Sequence, residues 1–372
     1  MKIVIASDSF KGSMSSVDVA QAAEKGIREV MPECQVVAVN VADGGEGTVE
    51  AIVDALGGEI VKVKVSDPLG REIEANYGIA GETAILEMAA ASGLPLLQVE
   101  ERNPWLTSTY GTGEMIMDAI GRGCRNFLVG IGGSATNDAG TGMLQAMGFR
   151  FYDAEGEMIE HCAGGRMQDI ARIDDSQVPE AVRQSLFTVA CDVDTPFCGP
   201  EGAAPVFAPQ KGADATMVER LDAGMASLAK VIEETYGVDV VPVAGAGAAG
   251  GMGGAFYAFL QATLKKGIDM VLDAIDFDAT IEGADLVITG EGKVDFQTAK
   301  GKTAAGVLNR AKQQHIPVIA IGGCVEMCDS LLQMGFAGIY PILEEKVPLE
   351  LAMQRDFAMN NVRQTVARIL SK

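Results

Sequence analysis

Short apolar runs that alternate with amphipathic ones constrain the fold of this chain more than any other feature. Lys2–Ala6 reads as a strand, and Val17–Met31 as a helix with Val19, Ala22, Ala23, Ile27 and Val30 on its apolar face. Val36–Val41 reads as a second strand and Gly47–Leu56 as a second helix. Strands in alternation with helices imply βαβ units and a parallel sheet. The rhythm then changes. Ile60–Val65, Glu72–Tyr77 and Ala84–Met88 read as consecutive strands joined by turns, which marks entry into a mixed-sheet domain near Ser66. The first rhythm returns late, with strands at Asp285–Thr289, Ile316–Ile321 and Gly335–Tyr340. Helices at Thr303–Gln314 and Ser330–Met334 separate them, and Leu349–Leu370 closes the chain as a helix. The expected architecture is α/β with two α/β domains. Residues 1–66 plus 284–372 form a discontinuous flavodoxin-like, doubly wound parallel sheet in the order 2-1-3-4-5. Residues 67–283 form an inserted mixed-sheet α/β domain.

A length of 372 residues suits two cores better than one. Lys and Arg total 29 against 51 Asp and Glu, a formal net charge of −22. Such a surface repels nucleic acid and anionic lipid, so neither is an expected partner. A small anionic substrate is also repelled at long range, so its site must concentrate its own cations. Lysines beside glycine turns are therefore candidates: Lys11, Lys211, Lys293 and Lys302. The seven cysteines form no CxxC pair and no zinc spacing, which suits free thiols in a reducing cytosol. The N-terminus runs straight into a strand without the apolar core of a signal peptide. Val240–Leu264 lacks charge, but glycines and Pro242 crowd it, and no membrane span is expected. His161 and His315, the two histidines, lie outside every glycine-carboxylate cluster. That argues against a Ser-His-Asp hydrolase and a multi-histidine metal site, and leaves aspartate or lysine as general base.

The chemistry-bearing motifs follow strand ends. Gly130–Gly142, GIGGSATNDAGTG, stands between the apolar Phe127–Val129 and the helix-like Met143–Met147. Glycine there permits positive φ and close ligand approach, and a helix N-terminus favours an anion. Ser7–Ser13 follows the first strand, with Asp8 as a base or magnesium ligand and Lys11 as a phosphate partner. Ala42–Thr48 follows the second and carries Asp43 and Glu46 between glycines. Helix capping is the competing reading of both clusters. Asp192 follows the strand-like Leu186–Ala190, and Lys211 stands in a proline-bounded turn. Gly245, Gly247 and Gly250 spell GxGxxG after the strand-like Val238–Val243, yet no second strand with a terminal acid follows at dinucleotide spacing. Thr289–Thr303 ends in Gly301-Lys302-Thr303, like a Walker A tail, but Phe296 occupies the position of that motif's first glycine.

These motifs together resemble the type 1 glycerate kinases essentially end to end. The resemblance rests on SDSFKGSMSS (Ser7–Ser16), ADGGEGT (Ala42–Thr48), YGTGE (Tyr110–Glu114) and GIGGSATNDAGTGM (Gly130–Met143). It continues in ACDV (Ala190–Val193), FAPQKGA (Phe207–Ala213), GAGAAGGMGG (Gly245–Gly254) and TGEGKVDFQTAKGKT (Thr289–Thr303). The resemblance implies a cytoplasmic, ATP-dependent phosphotransferase with an alcohol acceptor, converting D-glycerate to 2-phosphoglycerate with Mg²⁺ beside the nucleotide. It also implies a flavodoxin-like domain interrupted by a second α/β domain, with the site in the cleft. The oligomeric state stays open, a homo-oligomer included.

Phosphoryl transfer needs positioning and charge stabilisation more than covalent chemistry. The expected nucleotide and phosphate cradle is Gly132, Gly133, Ser134, Thr136, Asn137 and Gly292. Lys11 and Lys293 are expected to neutralise the transferring group and the substrate carboxylate. Asp8 or Asp192 is expected to take the hydroxyl proton, with Asp8 and Asp43 as metal ligands. Ser9, Asp43, Lys211 and Asp295 are the expected substrate contacts. The alternatives are an NAD-dependent dehydrogenase of a small hydroxy acid, using Gly245–Gly250, and a non-catalytic organic-acid binder.

Overall fold

The computed structural model describes residues 1–45, 47–343 and 347–371. Its strands, in chain order, are β1 (Lys2–Ser7), β2 (Gln35–Asn40), β3 (Glu59–Ser66), β4 (Glu72–Ala80), β5 (Thr83–Glu87), β6 (Asn126–Gly130) and β7 (Arg150–Tyr152). They continue as β8 (Arg172–Asp174), β9 (Leu186–Ala190), β10 (Thr263–Lys265), β11 (Leu286–Val294), β12 (Val318–Val325) and β13 (Gly338–Pro341). The chain divides into two compact units: Met1–Asp43, Asp54–Leu56 and Ile268–Lys372, and Gly44–Val53 with Gly57–Gly267.

The first unit holds a five-stranded sheet in the order β13-β12-β11-β1-β2, parallel throughout. Counted within that sheet, the order is 2-1-3-4-5, the doubly wound flavodoxin-like arrangement the sequence implies. The continuous apolar run of β1 has its cause in burial on both faces. Ile3 and Ile5 pack with Val19, Ile27 and Val362 on one side; Val4 and Ala6 pack with Leu272, Val307 and Leu308 on the other. The helix Ser16–Val30 starts at a capping box, in which Ser15 accepts from the Asp18 N–H and Asp18 accepts from the Ser15 N–H, both at 3.1 Å. The closing helix differs from expectation. It is two pieces, Leu349–Ala352 and Arg355–Leu370, because Gln354 is extended.

The second unit holds a six-stranded mixed sheet in the order β10-β9-β6-β5-β4-β3, with β7 and β8 paired separately. β3, β4 and β5 are antiparallel neighbours, and β5, β6, β9 and β10 are parallel. β3 lies in this sheet through its full-length pairing with β4, so the chain leaves the first sheet after β2 and not near Ser66. The return to the first unit comes at Ile268, ahead of residue 284. The core is aromatic near its centre: Phe127 stacks on Phe187 with ring centroids 4.8 Å apart, and Phe256 packs beside Phe187.

Candidate active site

In a doubly wound sheet, ligands bind beyond the carboxyl ends of the strands where the winding direction reverses. In the first unit that point lies between β1 and β11. The two strand ends are held close there. The Asp8 N–H donates to the Gly290 carbonyl at 3.0 Å, and a Cβ on Gly290 would meet the Ser7 Oγ at 2.9 Å and the Ile321 carbonyl oxygen at 2.8 Å. A cavity of about 790 Å³ opens at these ends, and Asp8, Ser9, Lys11, Asp43, Gly292 and Lys293 line it.

Asp8 is only 6 % exposed. Its Oδ1 accepts from the Ser9 N–H at 2.7 Å and its Oδ2 from the Thr303 Oγ1 at 2.8 Å. Burial raises its pKa, the neighbouring Asp43 raises it further, and the bonds from Thr303 and Ser9 with the charge of Lys11 pull it back. The net direction is upward. Lys11 reaches to 3.6 Å from Asp43 and is otherwise exposed. Thr303 opens the helix Thr303–Gln313, so the Walker-like Gly301-Lys302-Thr303 serves here to orient a carboxylate. Glu46 lies outside the described residues.

The segment after Thr289 differs from the loop the sequence suggested. β11 continues to Val294, pairing with β12 through Val294 opposite Val325. The strand period then puts Glu291 and Lys293 on one face. Glu291 also lines the cavity, is 6 % exposed, and its Oε1 has no hydrogen-bond partner. Burial pushes its pKa up to about 7, against the opposing pull of Thr298 and Lys302. Lys293 Nζ sits 3.1 Å from Asp295 and 3.0 Å from Glu326. Asp295 is buried and accepts from the Gln297 N–H at 2.8 Å, so it anchors the turn that holds Lys293 and does not face the cavity as an open substrate contact. Glu291 and Thr303 lie outside the site the sequence suggests, whereas Lys302, a candidate cation there, lines the cavity. Reading 290–294 as strand would have found Glu291, two residues before Lys293 and on its side of the sheet.

In the second unit, Gly130–Gly142 is a folded-in loop. β6 ends at Gly130, and the next helix starts only at Thr141. Between them Thr136, Asn137 and Asp138 are wholly buried. Asp138 accepts from the Thr109 N–H (2.8 Å), the Thr109 Oγ1 (2.7 Å) and the N–H groups of Gly140 and Gly142 (both 3.2 Å). Lys211 is 1 % exposed and donates to the Ser134 Oγ at 2.7 Å and the Thr136 carbonyl at 2.6 Å. Burial drives its pKa down to about 7, with Asp138 opposing, while burial raises that of Asp138. Lys211 is an internal clamp, because its ammonium is spent on the loop behind it. The Thr136 and Asn137 side chains form no part of an open phosphate cradle, because neither reaches the surface. Gly132 and Gly133 are exposed. Asp192, past the end of β9, is exposed and accepts from the Gly267 N–H at 3.0 Å.

The GxGxxG reading also falls. Val238–Val243 forms no strand, and Gly250 is buried at φ +68°, where a Cβ would stand 2.2 Å from the Thr136 carbonyl oxygen. The run closes over the glycine loop and lacks the strand and the open turn a dinucleotide needs. Among the described residues no helix is long and apolar enough to cross a membrane.

The fold and the cavity define a two-unit α/β protein whose charged site lies at the carboxyl edge of a parallel sheet. A family model for the glycerate kinase family matches residues 3–372, and the chain belongs to that family. It is 46 % identical over 373 residues to a glycerate kinase of Halalkalibacterium halodurans, covering 99 % of this chain and 98 % of the relative. It is 45 % identical over 375 residues to the glycerate 2-kinase of Escherichia coli K12, with 99 % and 98 % covered. A crystal structure assigned to glycerate kinase 2 from Salmonella typhimurium LT2 superposes with a TM-score of 0.91 at 45 % identity, over 100 % of this chain and 97 % of that one.

Proposed function

We propose that this chain transfers a phosphoryl group from ATP to the 2-hydroxyl of D-glycerate, giving 2-phosphoglycerate. The observation that carries this reading is the cavity at the β1–β11 ends, where carboxylates and lysines converge on open space. Family membership supports the same chemistry, and the relatives are named for it. Lys11 and Lys293 supply positive charge to the transferring group and to the substrate carboxylate; Asp43 holds the first, Asp295 and Glu326 the second. Preorganised charge of this kind is the main thing phosphoryl transfer asks of a protein. Ser9 and Gly292 complete the wall beside them.

Asp8 and Asp43 suit Mg²⁺. Magnesium in nucleotide sites takes one or two carboxylates together with phosphate oxygens and water, and here two carboxylates are near enough for Asp43 to raise the pKa of Asp8. The bonds from Ser9 and Thr303 fix the Asp8 carboxylate in the manner of an oriented ligand. The ion would supply charge neutralisation at the phosphates. Asp8 is the candidate in this cavity for accepting the hydroxyl proton; Asp192, in the second unit, is the other candidate, and near wild-type turnover in Asp192→Asn would exclude it. Gly132 and Gly133 offer exposed backbone N–H groups suited to an anion. All seven cysteines are free thiols, in keeping with work in the cytoplasm.

A coupled assay with ATP and D-glycerate, followed by ³¹P NMR of the product, tests the reading. The expected result is ADP release matched by 2-phosphoglycerate. Binding of glycerate without ADP release would leave an organic-acid binder in its place.

A further inference from the structure

We infer that the apolar side of the first unit's cavity seats the purine base of the nucleotide, with the charged side left to the phosphates and the acid. The inference rests on the kinase reading above and extends it to a subsite. Most of the charged lining and most of the apolar lining come from different strands. The charged residues come from β1, β11 and the end of β2: Asp8, Glu291, Lys293 and Asp43. Most of the apolar ones come from β12, β13 and the segment that follows, Val325, Ile342, Leu343, Leu349 and Met353, with Phe10 joining them from the loop after β1.

Glycerate has no use for that second side. Each of its three carbons carries oxygen, so it presents no face that gains by leaving water for an aliphatic wall. It is also small for a cavity of about 790 Å³, which falls within the range of about 300–1,000 Å³ that takes drug-sized ligands. A purine is flat, apolar on both faces, and joined to an anionic tail. It matches a cavity whose wall combines aliphatic side chains with Lys11, Lys293 and Lys302. Leu349 is 75 % exposed and Met353 is 37 % exposed. Both line the cavity, so a ligand seated there would cover apolar surface now in water. Methionine adds a flexible thioether that adapts to an aromatic edge.

The test uses the full chain and equilibrium binding of a fluorescent N-methylanthraniloyl ADP, with Leu349→Gln and Met353→Gln made separately. Both positions are solvent-facing, so folding is expected to persist and is checked by thermal melting. Each variant should weaken the fluorescent nucleotide about tenfold. Affinity for inorganic tripolyphosphate, which has the tail without the base, should stay within about twofold, as should KM for D-glycerate. Unchanged nucleotide affinity in both variants overturns the inference, and so does a rise in KM for D-glycerate with nucleotide binding intact. The two readings fail separately. Wild-type protein that binds the nucleotide in a Leu349-dependent way but phosphorylates no glycerate refutes the function and leaves the subsite standing. An active enzyme whose variants bind normally refutes the subsite alone.

Discussion

Two polar clusters of similar composition meet opposite fates in this chain. In the second unit, Ser134, Asp138, Lys211 and the Thr136 carbonyl are withdrawn from water and hydrogen-bonded, so the loop Gly130–Gly142 is fixed from within. In the first unit, Asp8, Lys11, Asp43, Glu291 and Lys293 line open space, and Glu291 retains a carboxylate oxygen with no partner. Glycines, hydroxyls, an acid and a lysine are common to both. What separates them is access: the second cluster is enclosed by protein, whereas the first lines a cavity. A buried hydrogen-bonded network rigidifies its surroundings, whereas charged groups beside a cavity are open to a ligand.

The largest effect that can break this contrast is expected at Lys211. Lys211→Ala removes the clamp and leaves the Ser134 hydroxyl and the Thr136 carbonyl without it, in a core that cannot admit water freely. Urea unfolding should show a loss of about 2–4 kcal/mol, from the cavity left by a buried side chain and two polar groups without their donor. A loss under about 1 kcal/mol would mean the clamp carries little. Its pH dependence sharpens the point. The lysine falls from an ordinary 10.5 in the unfolded chain to about 7 when folded, with the Asp138 carboxyl as the charge that opposes the fall. Between those values the unfolded state binds more protons, so stability rises with pH across that window and is flat below it. The difference in slope between wild type and Lys211→Met, measured by urea unfolding at pH values spanning the window, isolates this contribution.

The next effect belongs to the cavity and should appear in rate. Asp8→Asn keeps the shape and hydrogen-bonding size of the side chain and removes its charge. Turnover of D-glycerate should fall about 10²–10³-fold, the usual consequence of deleting one preorganised polar group. The melting temperature should move little, because burial already disfavours the charged form of Asp8. Equal turnover in the variant would remove Asp8 from the machinery and with it the contrast between the clusters.

How far the sequence disclosed this arrangement depends on which forces act locally. The first sheet was legible because strands buried on both faces read as continuous apolar runs, as in Ile3–Ala6 and Leu286–Ile288. Its site was legible as far as strand ends announce themselves, at Asp8, Lys11 and Asp43. Glu291 escaped notice because glycines at 290 and 292 looked like a turn, and only pairing with β12 makes that stretch a strand. The boundary near Ser66 misled for a related reason: the antiparallel partner of β3 is set by pairing, which local pattern does not contain. The glycine loop misled most. Its residues suit a ligand cradle, and its burial depends on Lys211 and Gly250, both far along the chain.

The smallest predicted effect bears most directly on that last point. The Thr136 Oγ1 is buried with no hydrogen-bond partner. Thr136→Val replaces it with a methyl of the same shape and leaves the carbonyl that Lys211 uses untouched. Removing an orphaned polar atom from a core is neutral or stabilising, so urea unfolding should shift by no more than about 1 kcal/mol, toward greater stability. Turnover should stay at the wild-type level, since the hydroxyl faces protein and no open surface. A hydroxyl that instead donates to a phosphate during turnover would betray itself by a fall in kcat of about 10-fold or more with stability intact. That result would return the glycine loop to the class of ligand-binding clusters and erase the distinction drawn from burial.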